Sequence, residues 1–286
     1  LTCLLKTVLF KKSVCKEQKN NVFTCLGNPN RIWAISAIHA DIDQLTQLHD
    51  MIFSHIEPGD RIVYTGNYTG YGPHARETID EILTFRRLIL SLPGMIASDL
   101  VYLRGQQEEI LQKLLQLQFA PNPTDVYLWM LGNGLSSTLA SYGLSHHDGI
   151  DACRYGVMGL TKWTAQIRQQ IRNNPGHEVL YTCLTRAAHT QEQSEFPMLF
   201  VHTGLNVKKS LLEQGDHLWW SQSDFSAISE PYKPFQKVIR GFDPAHKGIQ
   251  LNCVTATIDG GCGFGGNLVG TLFANHGEIL DLVEIA

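Results

Sequence analysis

Three short apolar runs, "IWAISAIH" (residues 32–39), "RIVYTGN" (61–67) and "LVYLRGQ" (100–106), break off at a glycine or a histidine. Between them lie two stretches with helical periodicity, "DIDQLTQLHDMIFSHI" (41–56) and "ARETIDEILTFRRLILSL" (75–92). Strand, helix, strand, helix, strand in this order requires parallel strands joined by crossover helices, because a parallel pair cannot be closed by a tight hairpin. Ligands of such sheets bind beyond the carboxyl ends of the strands, which here carry His39, Asn67 with Tyr68, and Gln106 with Gln107.

After the third run the pattern turns helical, from "EEILQKLLQLQF" through "YLWMLGNG" to "GLTKWTAQIRQQIRNN", and its Leu/Ile spacing suits a helical insertion packed on the sheet. Strand-like runs return in "FPMLFVHTGL", "KVIRGFDP", "GIQLNCVTATIDG", "NLVGTLFAN" and "EILDLVEI". The expected fold is α/β: two facing mixed β-sheets flanked by helices, as one domain over residues 31–286 after an N-terminal extension of residues 1–30. With 43% hydrophobic residues in 286, the chain can fill such a core.

The net charge of -4 gives no electrostatic case for nucleic acid, and no apolar run reaches the ~18 residues of a membrane span. Only 17% of residues are charged, a weak pointer to a protein partner or a multi-subunit assembly. The seven cysteines are scattered, without a paired or zinc-type spacing, which suits reduced thiols in a cytoplasmic or organelle-matrix compartment rather than secretion. The start, "LTCLLKTVLFKKSVCKEQKN", has no acid before Glu17. It reads as a targeting or interfacial helix, an edge strand or a partner-binding extension.

The order of motifs resembles the calcineurin-like metallophosphoesterases, in their bacterial serine/threonine protein phosphatase branch. That family reads GDxHG, GDxxDRGP, RGNHE, VHAG, a GH before a proline, and a DTG-like segment followed by glycines. The corresponding segments here are "SAIHA", "GNYTGYGP", "RGQQE", "VHTG", "RGFDP" and "IDGGCGFGG". The resemblance implies a metallophosphoesterase sandwich, with two divalent metals held by two aspartates, one asparagine and three histidines. On this chain those positions are Ala37, His39, Asn67, Gln106, His202 and Phe242, so only His39 and His202 keep the implied ligand. Gln107 stands at the proton-donating histidine, and Gly70 and Tyr71 stand at the Asp and Arg of the DRG triplet.

Hard divalent cations need anionic oxygen donors. With an effective dielectric near 20, each unit charge at 4 Å is worth about 4 kcal/mol, so a pair of dications without carboxylates should bind orders of magnitude more weakly. Without metal, no water is acidified and no cation steadies the phosphoryl oxygens. Gln107 offers no acidic proton and Tyr71 no guanidinium clamp. The expectation is a pseudophosphatase without cofactor, kept as a binding or structural subunit.

Alternatives remain. A single weakly bound metal at His39 and His202 would leave a feeble phosphoesterase. Asp41 could rebuild a metal site, though Asp41 and Asp43 suit the cap and first turn of a helix. "HHD" (146–148) reads as loop histidines. Arg104 and Arg240 flank the site and could attract phosphate, or could brace strand ends by ion pairs. Asp259 suits a turn role, and the "GCGFGG" glycines a loop between strands.

Overall fold

The computed structural model describes residues 22–220 and 224–286, and the segment of residues 1–20 read above as targeting, edge strand or extension lies outside them. The first described strand is β1 (Phe23–Cys25), followed by β2 (Arg31–Ile35), α1 (Ile42–His55), β3 (Arg61–Tyr64), α2 (Ala75–Leu90) and β4 (Leu100–Tyr102). The pairs β2–β3 and β3–β4 are parallel, as the strand–helix alternation requires. In α1, Asp41 caps the N-terminus by accepting from the Gln44 backbone N–H at 3.1 Å. Leu45, Leu48, His49 and Ile52 then form its buried stripe.

The helical insertion follows β4 as α3 (Gln106–Leu114), α4 (Pro123–Met130), α5 (Ser136–Ser141), α6 (His146–Arg154), α7 (Gly156–Arg172) and α8 (His177–Thr182). It packs around its own apolar cluster, including Leu114, Tyr127, Leu139, Trp163 and Ile167. The "HHD" segment is not a loop. Ser145 caps α6 by accepting from the His147 N–H at 3.2 Å, and His146 and His147 form the first turn. A serine before an acid-bearing first turn is the sequence signal for this start.

The remaining strands are β5 (Ala187–His189), β6 (Met198–Val201), β7 (Lys237–Arg240), β8 (Gln250–Leu251), β9 (Thr255–Thr257), β10 (Leu268–Ala274) and β11 (Ile279–Ile285). They complete two mixed sheets, ordered β11-β10-β2-β3-β4 and β1-β5-β6-β7-β9-β8. Phe23–Cys25, within the segment set apart above as an extension, pairs in parallel with β5 at the edge of the second sheet.

Side-chain alternation sorts the layers. Ile32 and Ala34 of β2 face the second sheet and meet Phe200, Ile239 and Phe273. Trp33 and Ile35 face the other way, onto Leu45, Leu48 and Ile79 of the crossover helices. Leu199, Val201 and Val238 pack outward against Trp219 and Phe225. Among the described residues the cysteines form no disulfide, and no helix is long and apolar enough to cross a membrane.

Phe200 is fully buried between the sheets whereas Met158 on α7 is 82% exposed. Urea denaturation should show Phe200→Ala losing about 3–5 kcal/mol and Met158→Ala changing by no more than about 0.5 kcal/mol.

Candidate functional site

The strand ends converge on one point. Ala37 and His39 follow β2, Asn67 follows β3, Gln106 and Gln107 open α3 after β4, His202 follows β6, and Phe242 follows β7. Backbone hydrogen bonds lock these segments together. The Ile38 and His39 N–H groups both donate to the Asn67 carbonyl, at 3.0 and 2.8 Å, and Ala40 N–H donates to the Tyr68 carbonyl at 2.9 Å. Across the sandwich, Ala37 N–H donates to the Gly241 carbonyl at 3.0 Å, and within the second sheet's loops Phe242 N–H donates to the His202 carbonyl at 3.0 Å. Tyr68, which also follows β3, turns inward and donates to the Leu103 carbonyl.

Non-glycine residues with positive φ concentrate here: His39 (51°), Ala40 (64°) and Asn67 (56°). Left-handed backbone is disfavoured for residues with a Cβ, so surrounding bonds must hold it in place. Ala40 occupies the last position of the "SAIHA" segment, where the resembled motif has glycine.

Glu108, only 3% exposed, is the brace beneath the site. Its Oε2 accepts from the Asn67 and Gly105 N–H groups and its Oε1 from the Tyr68 N–H, each at 2.9 Å. Burial pushes its carboxyl above the usual range, and these N–H groups pull it back. Sequence reasoning passed over Glu108, although an acid in the first turn of a helix starting at a strand end is a readable signal.

The side chains facing the convergence are neutral. Asn67 Nδ2 donates to His39 Nε2 at 3.2 Å while its Oδ1 accepts from the Gln107 N–H at 3.0 Å. This fixes His39 with its lone pair on Nε2, and leaves Nδ1 buried without a hydrogen-bond partner. His202 Nδ1 lies 2.7 Å from the Thr65 carbonyl and donates to it, so Nε2 presents a buried lone pair without a partner. Burial, with a smaller contribution from His202 and His246, pushes His39 down to about 3. Burial likewise pushes His202 down to about 4, against the Thr65 carbonyl. Both imidazoles are therefore neutral at physiological pH.

Aromatic rings fill the space around them. Phe242 stacks on His202 with centroids 5.3 Å apart and planes within 8°, and lies 5.3 Å from His39. Tyr71 and Phe264 complete the surround of His39 at 5.5 and 5.1 Å. The Gln107 side chain points away and donates to the Asn133 carbonyl in the insertion at 2.9 Å. Gly70, where a Cβ would lie 2.8 Å from the Gln107 side chain, makes room for that turn. Phe264 and His246, whose rings are 4.1 Å apart, were not anticipated from sequence, since their loops carry no periodicity.

The remaining candidates are committed elsewhere. Arg240 is buried and donates to Thr257 Oγ1 at 2.9 Å, pairs with Asp243 at 3.2 Å, and lies over the Phe225 ring. Arg104 pairs with Glu109 at 3.2 Å. Asp41 is spent as the cap of α1. Asp259 accepts from the Asp243 and Gly261 N–H groups at 2.8 and 2.9 Å, a turn role. Among the described residues no group of three or more His, Cys, Asp or Glu side chains is placed to hold a metal ion.

Three outcomes follow from this geometry. Ala40→Gly should stabilise the fold by about 0.5–1 kcal/mol in urea, relief of left-handed strain exceeding glycine's entropic cost. Glu108→Gln, whose amide must set a donor against a backbone N–H, should destabilise by about 1–3 kcal/mol. Below pH 6.5 the unfolded imidazoles take up protons that folded His202 and His39 refuse until about pH 4 and 3. Stability from this source is thus complete above pH 6.5 and falls on acidification, by up to about 1.4 kcal/mol per pH unit for each ring. Long-range ¹H–¹⁵N spectra should show both rings neutral at pH 5.

No protein-family model matches the sequence, and no curated protein does. Solved structures do match. A protein assigned provisionally as a diadenosine tetraphosphatase superposes with a TM-score of 0.53 at 15% identity, covering 92% of this chain and 98% of that one. The cold-active protein-tyrosine phosphatase of a psychrophilic Shewanella species superposes at 0.50 and 10% identity, over 93% of this chain and 82% of its own. At these identities the likeness concerns the fold, and the fold is that of the metallophosphoesterase-type sandwich.

Proposed function

We propose that this chain is a pseudophosphatase, a metallophosphoesterase-type sandwich without phosphoester hydrolysis that serves as a binding or structural subunit of a protein assembly. The observation that carries the reading is the donor set where the strand-end loops meet. It contains two neutral imidazoles and a carboxamide, no carboxylate, and a Phe242 ring stacked on His202. These residues do not fit a pair of divalent cations. Neither negative charge nor a bridging oxygen is supplied, and Asn67 is already tied on both sides by His39 and Gln107. No step of hydrolysis is therefore assigned to any residue. The low charged fraction, 17% of residues, is the feature that supports a partner protein.

The unpartnered Nε2 of His202 favours a second reading, a one-metal phosphoesterase at His202 and His39. Its difficulty is that the His39 lone pair already receives the Asn67 Nδ2–H, so a metal would have to displace that bond and leave an amide donor unpaired.

Turnover of an aryl phosphomonoester with manganese or zinc separates the two. The pseudophosphatase reading expects no rate above the metal-only background, and the same result for His39→Ala. Turnover that His39→Ala abolishes would establish the one-metal enzyme instead. A chain that ran as a lone monomer and bound nothing from its native extract would remove the support for an assembly.

A further inference from the structure

A cavity of about 450 Å³ lies apart from the strand-end site, where faces of α3, α7 and α8 meet beyond β4. This is within the ~300–1,000 Å³ range of small-ligand sites. Its wall combines an apolar floor, Leu111, Leu115 and Ile171, with three guanidinium groups, those of Arg104, Arg168 and Arg172. The spacing explains the convergence: Arg168, Ile171 and Arg172 share one face of α7, as Glu108 and Leu111 share one face of α3.

The three arginines are not equivalent. Arg104 is paired with Glu109 at 3.2 Å and Arg172 with Glu178 at 2.7 Å. Arg168 forms no ion pair among the described residues and donates only to the Leu115 carbonyl. Guanidinium carries five N–H donors and a permanent charge, so Arg168 brings an uncompensated cation and unused donors to the cavity wall. The other acid on the wall does not neutralise it. Glu108 has both oxygens turned to the Asn67, Gly105 and Tyr68 N–H groups.

We propose that this cavity is a binding site for one small amphiphilic anion, a phosphate or carboxylate head on an apolar body. The head pairs with Arg168, and the body lies against Leu111, Leu115 and Ile171. Glu108 separates this ligand from the loops carrying Asn67 and Tyr68, so the site is distinct from the imidazole cluster and does not depend on whether that cluster holds metal.

Calorimetric titration of the full chain with phenyl phosphate, benzoate and phenol tests this. Saturable binding of at least one anion is expected, phenyl phosphate and benzoate reporting which head is preferred, with no binding of phenol. Arg168→Gln should weaken the bound anion by about tenfold or more without lowering the melting temperature of the unliganded chain. His39→Ala should leave affinity unchanged. If Arg168→Gln does not fold, Arg172→Gln, which leaves Glu178 facing the cavity, should weaken binding in the same direction. The proposal is overturned if neither anion binds, if phenol binds as well as the anions, if the arginine variant that folds binds normally, or if His39→Ala abolishes binding.

Discussion

A single buried carboxylate holds together the part of this molecule that matters most. Glu108 accepts hydrogen bonds from three backbone N–H groups belonging to the loops after β3 and β4. Three parallel strands can deliver their ends to the same place, but the left-handed turns at His39 and Asn67 are disfavoured unless fixed from outside. The Asn67 carbonyl then receives the His39 and Ile38 N–H groups, carrying the constraint from β3 to β2. The frame is thus assembled by backbone and by one acid.

Within that frame, charge decides what the centre can be. A cluster meant for dications must hold acids that repel one another until metal arrives. Here the centre is held without charge: its imidazoles are neutral, its amide is bonded on both sides, and its rings pack face and edge against one another, with only His39 Nδ1 and His202 Nε2 left unpartnered among these groups. Phe242 makes this concrete: its ring takes the place where the resembled family offers a third imidazole, and by stacking on His202 it supplies packing in place of ligation. The frame and the filling therefore differ in kind, a two-sheet sandwich around a centre of neutral imidazoles and packed rings.

Much of this was legible in the sequence. The strand–helix alternation predicted the parallel β2–β3–β4 core, and the insertion was readable from the spacing of leucines and isoleucines. Asp41 was readable as a cap because an aspartate just before a periodic apolar run has a local role. Motif order pointed to His39, Asn67, His202 and Phe242, which lie in mutual contact, whereas the Gln107 side chain points away. What was not legible depends on contacts distant in sequence. Glu108 binds residues some forty positions away. Phe264 comes from a glycine-rich loop whose path no periodicity fixes. Arg168 looks like any cation on the polar side of a helix until α3 and α8 close the cavity around it. The short strand β1 exists only because β5 lies beside it.

The central claim, that an uncharged and ring-filled centre does not retain paired cations, is tested most directly by anomalous diffraction from crystals soaked in manganese and zinc. The account predicts no anomalous peak at bonding distance from His39 or His202. Two peaks within about 4 Å of each other beside those imidazoles, the spacing of a two-metal site, would contradict it.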